Sequence, residues 1–268
     1  LCDRCGYFCR NREVKVVKNK LQRFDEMASF PNVIQPAFDE AFRDQSPLKG
    51  QWKGTIFPDN NPVVLELGCG KGEYATGLAR TFPGKNFIGV DIKGARMWVG
   101  AKEALAEGLE NVRFLRTRIE FIQSFFEPGE VDEIWITFPD PQPKVKRTKK
   151  RLTSSAFLNS YSRFLAPGGK IHLKTDCRFL YEYTLGLLRI NDIKPEISTS
   201  DLYQDKPPGC EPGLLQIQTF YEKLFLSKGM PVTYIRFSLP GGKILKETDE
   251  EMVKDLLDKY EVQKARFF

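Results

Sequence analysis

The chain has 268 residues, 41% of them hydrophobic, with 41 Lys and Arg against 35 Asp and Glu and a formal charge of +6. That length suits one large α/β domain with appendages, and a basic excess that is local rather than spread favours a polyanionic partner. No run of about 18 apolar residues appears and the N-terminus lacks the apolar core of a signal peptide, so no membrane partner and a cytoplasmic location are expected.

Residues 1–61 read as a basic, irregular N-terminal arm, broken by Pro31, Pro36, Pro47 and Pro58. Its lysines and arginines (Lys15, Lys18, Lys20, Arg23) read first as a solvated face and second as a polyanion contact. Cys2-x2-Cys5-x3-Cys9 has no fourth ligand nearby, and the single histidine, His172, falls in a predicted strand, so no metal is expected. Residues 1–12 are expected to be disordered. From Val63 the pattern alternates. Strands are predicted at Val63–Leu67, Asn86–Asp91, Val112–Arg116, Glu133–Phe138, Lys170–Thr175, Glu196–Thr199 and Thr233–Ser238. Between them lie helices Glu73–Phe82, Ala95–Glu107, Phe121–Phe126, Ser154–Phe164, Phe179–Ile190 and Gln216–Ser227. Residues 62–240 therefore form a doubly wound, mostly parallel seven-stranded sheet with helices on both faces. Residues 241–268 form a tail with an amphipathic helix, where Met252, Leu256 and Tyr260 share a face. Docking on its own domain is the expected role, with a partner or RNA contact the alternative.

The chain is organised around Val63–Gly72, a buried strand running into Gly68, Gly70 and Gly72. A P-loop is excluded because Lys71 is followed by Gly72, and the dinucleotide fingerprint because Glu73 occupies its third glycine position. What remains is an acid, Glu66, two residues before G-x-G-x-G, with a second acid, Asp91, closing the next strand. This pattern resembles the S-adenosylmethionine site of Rossmann-like methyltransferases, whose cofactor offers an ammonium, a sulfonium and a ribose diol to carboxylates. In open parallel sheets such a ligand lies outside the carboxyl ends of the strands. The polar groups there are Glu66, Asp91, residues 116–118, Asp140 and Asp176.

Phe138-Pro-Asp-Pro-Gln-Pro-Lys144 holds Asp140 between prolines that restrict the backbone on both sides. Six basic residues in the next eight follow, Lys144, Lys146, Arg147, Lys149, Lys150 and Arg151, with no acid among them. Self-repulsion in such a run beside an active-site rim is relieved by a phosphate chain, so nucleic-acid contact is expected. His172 reads as structural.

Together with His172-Leu-Lys174-Thr175-Asp176 and Thr219-x-x-Glu222, these motifs resemble the bacterial tRNA (guanine-N7)-methyltransferase family over residues 19–240. The resemblance implies a Rossmann-like methyltransferase fold, S-adenosylmethionine as cofactor and tRNA as partner, in a monomer or homodimer. It implies cofactor contacts at Glu66, Gly68, Gly70, Asp91 and Asp140, with Asp140 also the catalytic carboxylate. Lys144, Asp176, Thr219 and Glu222 would hold the guanosine, and Lys146, Arg147, Lys149, Lys150 and Arg151 the RNA backbone. Two positions depart from the family pattern. Gln142 stands where the family has tryptophan, and Arg118 where it has Asp or Asn. Either the amides of Arg118 and Ile119 read the adenine, or cofactor affinity is lowered. The alternatives are a methyltransferase for another RNA, a protein or a small molecule, and a non-catalytic RNA-binding module.

Overall fold

A computed structural model describes residues 20–42 and 46–267, with the backbone alone at residues 40, 41, 212 and 260–267. Cys2, Cys5, Cys9, Lys15, Lys18 and the expectation of disorder over residues 1–12 lie outside the described residues. The side chain of Tyr260 does too.

The sheet has eight strands in the order β1-β4-β3-β2-β5-β6-β8-β7. They are β1 (Val33–Ile34), β2 (Val63–Leu67), β3 (Asn86–Asp91), β4 (Val112–Arg116), β5 (Val131–Thr137), β6 (Leu165–Thr175), β7 (Ile197–Thr199) and β8 (Thr233–Ser238). β8 runs antiparallel to β6 and β7, and the other pairings are parallel. All five β2 residues are buried. Val63, Leu65 and Leu67 enter one core and Val64 the other, as a strand covered on both faces requires. The helices of the two layers are α1 (20–28), α2 (Phe38–Phe42), α3 (Glu73–Thr81), α4 (Gly94–Ala106), α5 (Ser155–Tyr161), α6 (Arg178–Ile190), α7 (Leu202–Asp205), α8 (Pro212–Gln216), α9 (Phe220–Ser227) and α10 (Glu250–Phe267), with 3-10 helices η1 (Ile119–Phe125) and η2 (Val145–Lys150).

Three expectations change. The sheet has eight strands rather than seven because the segment read as irregular contributes β1, paired with Phe114–Leu115 of β4. Its helix α1 also buries Met27 completely. The single helix expected over Gln216–Ser227 is two, α8 and α9. Thr219 starts the second as its N-cap, accepting from the Glu222 amide while the Glu222 carboxylate accepts from the Thr219 amide. That reciprocal capping box opens α9, with Thr219 three residues beyond the end of α8. The loop expected over Pro139–Leu152 contains η2.

No helix among the described residues is long and apolar enough to cross a membrane.

Candidate active site

The strand order reverses between β2 and β5, and parallel register aligns their carboxyl ends. Leu67 pairs with Val90, Asp91 with Arg116, and Thr137 with Lys174. The segments that follow, led by Gly68, Ile92, Thr117 and Phe138, leave the sheet on one rim. This is the crevice where an open α/β sheet takes its ligand.

Gly68 and Gly70 adopt φ of 80° and 57°, and a Cβ at Gly68 would meet nothing within 4 Å. The Gly68 position is an open ledge that only glycine forms without strain. The Gly68 and Cys69 amides both donate to the Val90 carbonyl, at 2.8 and 3.0 Å, which bends the ledge toward β3. There the Asp91 carboxylate is oriented by two amides, Gly70 N–H to Oδ2 at 3.0 Å and Lys93 N–H to Oδ1 at 2.8 Å. Each oxygen keeps a lone pair for a ligand hydroxyl or ammonium. An open glycine ledge beside a fixed carboxylate fits a ribose-bearing, cationic cofactor such as S-adenosylmethionine.

Glu66 is placed differently from expectation. It is 3% exposed, with Oε1 accepting from the Thr137 hydroxyl at 2.6 Å and Oε2 from the Ala75 amide at 2.9 Å. Burial, opposed by those two donors, pushes its carboxyl up to about 8. It braces β2, β5 and α3 beneath the ledge. Arg118 is exposed and Ile119 half-buried at the start of η1, and the Arg118 carbonyl accepts from Phe121 N–H.

Asp140 is exposed, and its Oδ1 accepts from the Gln142 amide at 3.1 Å. Phe138 and Gln142, on either side of Pro139-Asp140-Pro141, both have φ of 46°. Left-handed backbone at two non-glycine residues costs about 1–3 kcal/mol each and persists only where the surroundings fix it. Gln142 is so fixed. Its carbonyl accepts from Arg151 Nε at 3.2 Å and its side-chain oxygen from Arg147 Nη1 at 3.1 Å.

That role corrects the expectation for Arg151. It is fully buried, with its guanidinium 4.8 Å from the Phe179 ring and 4.3 Å from the Tyr183 ring, so it cannot meet a phosphate. Lys144, Lys146, Arg147, Lys149 and Lys150 are exposed along η2 and its N-cap. Asp176, half-buried where β6 ends, has its carboxyl pushed up by burial.

Glu222 is corrected as a direct guanosine contact. It is fully buried, as is Lys174, and Lys174 Nζ lies 2.6 Å from its Oε1. Tyr203 donates to the same oxygen at 2.7 Å, and Lys174 also donates to the Leu214 carbonyl at 2.6 Å. Thr219 is the N-cap of α9, where Phe220 N–H donates to Glu73 at 3.3 Å. His172 is 1% exposed, stacked on Trp135 at 3.9 Å and hydrogen-bonded through Nδ1 to Tyr234 at 2.8 Å. Burial holds it well below the usual histidine range, so it is a neutral core residue.

Residues missed from sequence are Thr137, Gln142, Lys174 and Tyr203. Lys174 carried a signal, a cation at an inward position of a strand covered on both faces. Thr137 and Tyr203 carried none, because each acts through a partner distant in the chain, whereas Gln142 acts on Asp140, Arg147 and Arg151 within its own loop.

A doubly wound sheet with a glycine ledge and acid-ended strands is an architecture that methyltransferases use, and residues 60–235 match a family described as putative methyltransferase. The tRNA (guanine-N(7)-)-methyltransferase of Bacteroides thetaiotaomicron is 48% identical over 238 residues, 89% of this chain and 92% of that protein. That of Christiangramia forsetii is 53% identical over 222 residues, covering 83% and 98%. The chain belongs to the tRNA (guanine-N(7)-)-methyltransferase family. The crystal structure of the 16S rRNA methyltransferase KamB matches with a TM-score of 0.51 at 17% identity, over 67% of this chain and 89% of that one, and so shares the fold.

Proposed function

We propose that this chain transfers a methyl group from S-adenosylmethionine to N7 of a guanine in tRNA, in the cytoplasm. The observation that carries the reading is the single rim on which the glycine ledge, Asp91, the constrained Asp140 and the exposed cations of η2 meet, in a chain about half identical to proteins of that name.

When bound, the cofactor supplies a methyl on a sulfonium, and its transfer leaves the bond's electron pair on sulfur as the new bond forms to nitrogen. Guanine N7 carries an in-plane lone pair and no proton, so no base has to remove one. The work left to the protein is positioning and electrostatic stabilisation. Asp140, held by its own loop, and Asp176 are carboxylates able to accept from guanine N1–H and N2–H, which pushes electron density toward N7 and stabilises the cationic purine formed. Lys144 and Thr219 complete the guanosine side. Lys146, Arg147, Lys149 and Lys150 neutralise backbone phosphates. Glu66 and Arg151 act one layer down, holding the ledge and the Asp140 loop. N7 lies on the deep major-groove edge of an A-form helix, so a folded loop presents it more readily than a duplex.

Transfer from labelled S-adenosylmethionine to unmodified tRNA, followed by nucleoside analysis, tests the reading. Wild type yields 7-methylguanosine. Asp140→Asn lowers the rate by about 10²–10³ while tRNA affinity is kept, the scale for removing one transition-state contact. Label in another nucleoside, or only in protein or small molecules, overturns it.

A further inference from the structure

A second cationic surface lies on the opposite flank of the ledge from η2. A cleft of about 440 Å³ opens between α1, the start of α4 and the end of β4. Phe24 and Ile92 form part of its wall, and Lys20, Lys93, Arg96 and Arg116 face it, with no acid among the lining residues. Lys20, Lys93 and Arg96 are exposed and Arg116 is half-buried.

The cleft is a built feature. Arg23 Nη1 donates to the Ala95 carbonyl at 3.2 Å, and Trp98 Nε1 donates to Glu26 at 3.0 Å, fastening α1 to α4. A Cβ at Gly94 would stand 2.7 Å from Phe24 and Met27 and 2.9 Å from Arg116, so the glycine permits the close approach. The Arg116 guanidinium is laid over Phe24 at 4.6 Å and donates to Gln35 at 2.9 Å, which aims it rather than leaving it free. The Asp91 oxygens accept from the Gly70 and Lys93 amides, and Glu26 pairs with Lys102, so neither nearby acid forms a salt bridge with any of the four lining cations.

We propose that this cleft binds phosphodiester groups of the tRNA whose guanine enters the active site, making the RNA grip two-sided. The proposal rests on the tRNA reading above. β3 and β4 lie on one side of β2 and β5 on the other, so the cleft and η2 bracket the ledge along one rim. The four cations come from α1, the turn after β3, α4 and β4. That spread suits successive phosphates of a chain better than one small anion, and a polyanion relieves the mutual repulsion of four like charges around one void.

The test is tRNA binding by the full chain as a function of salt, with S-adenosylmethionine affinity and thermal melting measured alongside. Lys93→Glu/Arg96→Glu is expected to weaken tRNA binding at least about tenfold near 0.15 M salt. It should also make the log–log salt slope shallower by about 1.4–1.8, the value for two phosphates. Lys93→Gln/Arg96→Gln, which adds no repulsion, is expected to give the same change of slope with unchanged melting and cofactor affinity. If wild type binds and methylates tRNA and both variants keep its slope, the cleft assignment is overturned alone. A drop in cofactor affinity with an unchanged slope assigns the cations to the cofactor site and overturns it too. A wild type that neither binds nor methylates tRNA overturns the underlying reading with it.

Discussion

Glu66 shows how one residue carries both a motif and its own physical cost. Its carboxyl is pushed up to about 8 from the usual 4.5, so the folded protein holds that proton across a range where the unfolded chain has released it. The native state therefore binds more protons than the unfolded state between about pH 4.5 and pH 8. Its contribution to stability is full below the lower value and is lost as pH rises through the upper one. Glu66→Gln keeps an acceptor for the Ala75 amide and a partner for the Thr137 hydroxyl, but cannot ionise. Denaturant midpoints at pH 5 and pH 8 are expected to differ less in the variant than in wild type. Equal differences in the two proteins would mean that Glu66 is ionised in the folded state across the whole range.

At the scale of elements, α8 and α9 are held to the sheet by a charge pair sealed away from water. Lys174 on β6 meets Glu222 of α9, and the same lysine reaches the carbonyl of Leu214 in α8. Burial lowers the lysine below its usual range, opposed by the Glu222 carboxylate beside it. Removing one partner leaves the other buried without compensation, a loss of about 3–5 kcal/mol, whereas an apolar pair of similar volume can cost far less. Lys174→Met and Glu222→Leu are each expected to be severely destabilising, and the double variant less so than their sum, in a denaturation cycle. Additive losses would show that the pair is not coupled.

The same element marks the limit of sequence reading. Thr219-x-x-Glu222 is legible both as a family signature and as a capping box, and the notation is identical. The packing decides, since Glu222 is wholly buried among Lys174, Tyr203 and its own N-cap. Strands β2, β3, β4 and β8 were legible to the residue because apolar runs bounded by turns leave little freedom. β1 was not, since a two-residue edge strand has no periodicity and exists only because β4 offers it an edge. Arg151 was misread for a related reason. A sixth cation in a basic run looks like its neighbours, and Phe179 and Tyr183, which enclose it, come from a helix nearly thirty residues on.

For the molecule as a whole, the C-terminal tail is tied to the Asp140 loop through a chain of polar contacts. The Leu245 and Lys246 backbones are gripped by the side-chain amides of Asn159 and Asn191 at 2.8–3.0 Å. Val253 of α10 is 1% exposed, and Met252 closes on Gly186 of α6, where a Cβ would stand 1.7 Å from its methyl. Between them Glu247 accepts from the Ser155 amide at 3.0 Å and from the Tyr183 hydroxyl at 2.6 Å. Tyr183 faces the Arg151 guanidinium, which donates to the Gln142 carbonyl two residues after Asp140. Two side chains, Tyr183 and Arg151, thus link Glu247 of the tail to the rim loop. Glu247→Ala removes the acceptor for Ser155, Tyr183 and Thr248 and is expected to cost about 1–3 kcal/mol in stability for each buried donor left unsatisfied. If the tail helps to hold the strained Gln142 turn, the variant also lowers the methyl-transfer rate at saturating substrates without changing S-adenosylmethionine affinity. Its stability loss should then be non-additive with that of Arg151→Met, by about 0.5–3 kcal/mol in a double-mutant cycle. Additive losses, or a loss of stability with the saturated rate intact, would separate the tail from the site and leave it as a clasp on α6 alone.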